Sequence, residues 1–153
     1  MDGNEQMKTL YTTMAVALML QTGAAFADGD VAEGEADFKK CKACHTIASA
    51  DEVIYKGGKT GPNLYGVIGR VAGSEDFKYG ASLAEAGQAG LVWDQENIVE
   101  YIADPKSFLK EATGDSGAKS KMTFKMKDAE DVAAYLASFS PAAPEADEEN
   151  DDS

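Results

Sequence analysis

Both cysteines and the only histidine of this 153-residue chain fall within five positions, Cys41-Lys42-Ala43-Cys44-His45. That concentration limits what the chain can build. A structural zinc site needs four ligands, and cysteine and histidine together supply three here. A thioredoxin-like redox pair is reached from a β-strand, whereas an amphipathic, acid-faced helix leads into this motif. A structural disulfide leaves the adjacent imidazole without a purpose. Covalent haem attachment uses all three residues. Two cysteines three positions apart on a helical turn point to one side, where they can form thioethers with the vinyl groups of one porphyrin, and His45 then reaches the iron from that same face.

The rest of the pattern calls for such a filler. Asp30 is expected to cap a first helix running to about Lys42, with Gly34 and Phe38 on its inner face. Residues 60–80, rich in glycine and without a sustained period, read as loop. Ser82 is a candidate cap for a short turn through Gln88. Asp94 caps "QENIVEYIA", where Ile98, Tyr101 and Ile102 share a face, and Asp104-Pro105 starts another helix with proline at its first position. Residues 109–125 read as loop again. Asp128 is expected to cap "AEDVAAYLASF", in which Val132, Tyr135, Leu136 and Phe139 repeat at helical spacing until Ser140-Pro141 stops it. The expected fold is all-α, with four to five short helices and long loops around one bound haem. Helices this short carry too little apolar side-chain volume to organise so much loop unaided.

Residues 1–27 read as a signal peptide. Lys8 precedes an apolar run from Met14 to Leu20, and Ala25-Phe26-Ala27 is a small-x-small cleavage pattern; the run is too short to span a bilayer comfortably. An uncleaved anchor is the alternative, and either Met1 or Met7 serves as the start. Residues 28–140 form the expected domain, and 141–153 an acidic, disordered tail. The exported chain keeps 13 basic against 25 acidic residues, a net of −12, with six of the acids in the tail. Its lysines are concentrated instead, six of them between Lys106 and Lys127 against two acids. An acidic protein with one basic zone is poorly suited to nucleic acid and well suited to an acidic protein surface.

A second axial ligand cannot be histidine. Only Met122 and Met126 remain among the methionines after signal removal, both in the segment before the last helix. Elimination leaves the two open.

The order CxxCH, "KTGPNLYGVIGR", "FKYG", "LVWDQENIVEYIADPKSF", "KSKMTF", "DVAAYLASF" resembles class I cytochrome c, in its large bacterial periplasmic, mono-haem form, over about residues 30–140. The resemblance implies one covalent haem c at Cys41 and Cys44, with iron ligated by His45 and Met122. It implies that the Pro62 carbonyl accepts from the imidazole, that Arg70, Tyr79 and Trp93 surround a haem propionate, and that Tyr101 lies beside the methionine ligand. First and last helices should cross, Gly34 and Phe38 meeting Val132 and Tyr135. Ser120 stands where the family usually has threonine, and insertions fall near 48–56 and 109–119.

The function so implied is that of a soluble periplasmic one-electron carrier, not an enzyme, working between a quinol–cytochrome c reductase and terminal oxidases or other reductases. Lys42, Lys106, Lys119, Lys121 and Lys125 are the candidate docking residues, and a monomer is expected. The alternative is a haem-based gas-binding or peroxidase-like protein whose sixth ligand detaches.

Overall fold

The structure, a computed structural model, describes residues 29–141; the expected signal peptide and nearly all of the acidic tail lie outside the described residues. Five α-helices and one small hairpin follow in chain order: α1 Val31–Asp37, continued by a 3₁₀ turn Phe38–Lys40, then β1 Ile47–Ala48, β2 Val53–Tyr55, α2 Ala81–Gln88, α3 Gln95–Ala103, α4 Pro105–Thr113 and α5 Glu130–Ala137.

Three helix starts follow the capping logic of the sequence. Asp30 accepts from the amides of Ala32 and Glu33 at 2.8 and 3.0 Å. Asp94 forms a reciprocal box with Asn97, amide to carboxylate at 2.7 Å and amide to side-chain oxygen at 3.0 Å. Asp104 accepts from Ser107 at 3.1 Å ahead of Pro105. Each satisfies amides that a helix start otherwise leaves unpaired.

Four expectations are corrected. The first helix ends at Asp37 and tightens into a 3₁₀ turn instead of running to Lys42. Gly80, not Ser82, precedes α2; the Ser82 hydroxyl is taken by the amide of Lys119 at 3.0 Å. Asp128 adopts φ 57° and turns the chain, so α5 begins at Glu130 without a side-chain cap. Aspartate tolerates the left-handed region better than most residues, which makes it a turn former as readily as a cap. Finally, residues 109–113 continue α4, which stops at Gly114 with φ 69°.

The insertion near residue 48 folds as the antiparallel hairpin, Ile47 facing Tyr55 and Ala48 facing Val53 across an irregular register. Asn63 braces it from outside, its side chain donating to the Ala48 carbonyl at 2.7 Å and accepting the Ala48 amide at 3.1 Å.

The core sits where α1 crosses α5. A Cβ built on Gly34 would overlap the Asp131 carbonyl and come within 2.8 Å of Tyr135 Cβ. One turn on, Phe38 is fully buried with its ring 5.7 Å from that of Tyr135. Asp30 and Asp131 tie the same two helices, amide to carboxylate at 2.7 Å.

Gly34→Ala pits a helix-propensity gain of roughly 0.5–1 kcal/mol against overpacking, usually about 1–3 kcal/mol and more when the obstacle is backbone. Overpacking wins. A net loss of about 2 kcal/mol is expected in denaturant unfolding of the holoprotein, and unchanged or raised stability would refute the close contact.

Candidate haem site

The Cys41–His45 segment is a single turn closed by its own backbone. The Cys41 carbonyl accepts from Cys44 at 3.1 Å and from His45 at 3.0 Å. That bonding places the two cysteines one turn apart and brings the imidazole out immediately after them. The two cysteines are not joined to each other; Cys41 is partly buried and Cys44 exposed. Burial, then the nearby Asp37 carboxylate, pushes the Cys41 thiol up to about 11, with Lys40 opposing.

A second segment wraps this turn. The amide of Gly58 donates to the Lys42 carbonyl and that of Gly61 to the Cys44 carbonyl, both at 2.8 Å. Thr46 Oγ1 joins in, accepting from Gly57 at 3.1 Å and donating to the Gly58 carbonyl at 3.2 Å. His45 Nδ1 lies 2.8 Å from the Pro62 carbonyl. A carbonyl only accepts, so Nδ1 carries the hydrogen and the lone pair of the neutral ring is on Nε2. Burial lowers the histidine pKa, partly offset by the Pro62 bond, so the neutral, ligating form is favoured. Gly61 completes the grip: a Cβ there would overlap His45 Cε1 and stand 2.7 Å from Nδ1. This glycine was not among the expected site residues, although "TGPNL" carries the signal, a residue without Cβ next to the proline acceptor.

These pieces border a cleft of ≈ 320 Å³. Cys41, Cys44, His45 and Pro62 line it, together with Arg70, Tyr79, Trp93, Tyr101 and Met122. All nine expected site residues therefore meet in one place. Met126 is not among the lining residues; its amide donates to the Ile102 carbonyl at 3.0 Å. The remaining wall is largely apolar, from Phe38, Leu64, Val67, Leu109, Val132 and Leu136.

The polar groups are already oriented. Arg70 donates to the carbonyls of Asn63 at 2.9 Å and Tyr65 at 3.2 Å and pairs with Glu75 at 3.0 Å, with guanidinium donors to spare. Burial raises the Tyr79 phenol, with the Arg70 charge acting against it. Tyr101 is raised by burial and lies 3.4 Å from Ser120 Oγ, while its ring packs 5.0 Å from Trp93 and 5.6 Å from Phe108.

Of the five expected docking lysines, Lys119 and Lys121 border the cleft, as does Lys40, which pairs with Asp37 at 2.6 Å. Lys42 and Lys106 are exposed. Lys125 is engaged by Asp104 at 2.6 Å.

The sequence model of the cytochrome c family matches residues 31–140. The chain belongs to the cytochrome c family. It is 58% identical over 132 residues to cytochrome c-551 of Roseobacter denitrificans, covering 84% of this chain and 95% of that one. It is 51% identical over 135 residues to cytochrome c2 of Rhodobacter capsulatus, covering 86% and 98%. The solved structure of ferric cytochrome c-550 from Paracoccus versutus superposes with a TM-score of 0.72 at 53% identity, covering 74% of this chain and all of that one. This cytochrome c has the class I fold, carries one covalently bound haem c and serves electron transfer, not enzymatic turnover. The cleft fits that cofactor by its own chemistry: two thiols and an oriented imidazole on one turn, an apolar wall, and guanidinium, phenol and indole donors for carboxylates.

Gly61→Ala tests the grip on the imidazole. Displacing the ring breaks the Nδ1–Pro62 contact that fixes the ring's orientation, so the Nδ1 proton of the holoprotein should exchange faster than in the unaltered protein. Exchange as slow as in the unaltered protein would show that the ring tolerates the methyl.

Proposed function

We propose that this cytochrome c is an exported, soluble periplasmic one-electron carrier whose haem is tethered by Cys41 and Cys44 and whose iron is ligated by His45 and Met122. It would run between a quinol–cytochrome c reductase and terminal oxidases or other reductases. The observation that carries the ligand assignment is that Met122 borders the same cleft as His45 while Met126 does not. When bound, the haem iron takes up and releases one electron.

The chain's own residues define that role. His45, held by Pro62, offers Nε2; Met122 offers a thioether on the cleft wall. With both donors engaged no position is left for a small substrate, which favours carriage over gas binding or peroxidase chemistry. Thioether and imidazole together as the iron's ligands would favour the reduced state and raise the potential. The apolar wall acts in the same direction by disfavouring an added positive charge. Arg70, Tyr79 and Trp93 are suited to hold propionates through their N–H and O–H groups, and Tyr101 to steady the Met122 side through Ser120. No described helix is long and apolar enough to cross a membrane, in keeping with a carrier that diffuses between complexes.

Recognition would fall to the lysines at the cleft. Lys119 and Lys121 border it and Lys42 projects from the CxxCH turn; Lys40 borders it too, but its charge is balanced by Asp37 at 2.6 Å. Lys106 is exposed at the start of α4, while Lys125 has its charge balanced by Asp104 and contributes less.

Met122→Ala should abolish the weak sulfur-to-iron charge-transfer band of the ferric protein and lower the reduction potential, whereas Met126→Ala should leave both nearly unchanged. Loss of the band from the Met126 variant alone would reverse the assignment.

Salt separates the local lysines from the acidic whole. Charges more than about 8 Å apart are largely screened at physiological ionic strength, so the zone at the cleft should outweigh the net −12 of residues 28–153. Electron transfer to an acidic oxidase surface should slow as salt rises, and Lys121→Glu should cost more rate than deletion of residues 145–153. A rate that climbs with salt, or that follows the tail, would remove the lysines from docking.

A further inference from the structure

The segment carrying Met122 has little backbone structure of its own. Among the described residues, the amides of Ser120 to Lys125 make no backbone–backbone hydrogen bond. Such a stretch is held by what its ends and side chains grasp. On the N-terminal side, the Lys119 amide donates to Ser82 at 3.0 Å and Lys121 Nζ to the Lys78 carbonyl at 2.9 Å. On the C-terminal side, the Met126 amide donates to the Ile102 carbonyl at 3.0 Å and Lys125 Nζ meets Asp104 Oδ2 at 2.6 Å.

The last contact differs from an ordinary surface pair, because one partner is fixed before the other arrives. Asp104 ends α3 and caps α4, its Oδ1 accepting from the Ser107 amide at 3.1 Å. Oδ2 is thereby aimed without a further loss of freedom, and only Lys125 must be ordered to reach it. Lys125 together with the Ser107 amide holds the Asp104 carboxyl at about 2. The carboxylate is thus ionised throughout the neutral range.

We infer that Asp104 and Lys125 are a positioning pair for Met122: their contact fastens the far end of its segment to the α3–α4 corner and so sets how readily an outside ligand displaces the thioether. The inference rests on the assignment of Met122 as the sixth ligand. An outside ligand binds the fraction of molecules whose segment has swung away, so its apparent affinity rises in proportion to that fraction. The pair is exposed, which limits its effect to about two- to fivefold.

Imidazole titration of the ferric holoprotein, followed by loss of the sulfur-to-iron band, tests this. Lys125→Gln, and Asp104→Asn with its capping oxygen retained, should each bind imidazole about two- to fivefold more tightly. The double variant should bind no more tightly than either single one, and Lys125→Arg should restore the original affinity. Amide exchange at Met126 should quicken by a similar factor in Lys125→Gln. If Met122→Ala keeps the band, the ligand assignment and the pair's role fall together. If Met122→Ala loses the band while both single variants bind imidazole as the unaltered protein does, or their effects simply add in the double variant, the positioning role alone is overturned.

Discussion

The imidazole of His45 is held by the backbone of a neighbouring segment, and the rest of the molecule is arranged around that hold. Pro62 supplies the acceptor at 2.8 Å, and Gly61 supplies the space in which the ring lies. The bonds from Gly58 and Gly61 to the carbonyls of Lys42 and Cys44 fasten the two segments face to face. None of these contacts draws on an ionisable partner, so tautomer and direction are set by shape and backbone polarity alone. Arg70 secures the next stretch, through the carbonyls of Asn63 and Tyr65, and links it to the polar edge of the cleft. One continuous run, residues 57 to 70, thus orients the proximal imidazole and positions the guanidinium.

The helical frame has a different logic. Phe38 faces the cleft and the α1–α5 crossing at once, fully buried between Tyr55 and Tyr135 at ring distances of 4.9 and 5.7 Å. Burying a side chain of this size contributes roughly 1.5–3 kcal/mol, and it does so only if both helices and the cleft wall are in place. Helix crossing and cofactor enclosure are therefore coupled through shared side chains, in keeping with a set of helices too short to hold together by their own faces.

The parts of this organisation written in local chemistry were legible in the sequence. Asp30, Asp94 and Asp104 have one dominant use each, and Pro105 reinforces the last of them. The cleft residues were legible for another reason: a lone histidine behind two cysteines leaves few alternatives, and the remaining motifs fall in the order of a known family. What escaped depended on partners remote in sequence. Ser82 is claimed by Lys119, 37 residues away, and Asp128 turns the chain just after Met126 has bonded to the Ile102 carbonyl. Strands of two and three residues carry no period to detect. Charge has the same limit, since a lysine count cannot show that Lys125 is engaged by Asp104 whereas Lys119 and Lys121 border the cleft.

Asn63 has a consequence for how this fold varies. Its amide group pairs with both backbone groups of Ala48, as a third strand would, one residue beyond Pro62. The hairpin is thereby moored at Ala48, in the pair that closes its tip, and the tip from Ser49 to Glu52 lies outside that mooring. Changes of length at the tip are mechanically insulated from the imidazole. This is the place where the chain can accept new sequence, and with it new surface, while the electronic environment of the metal stays as it is.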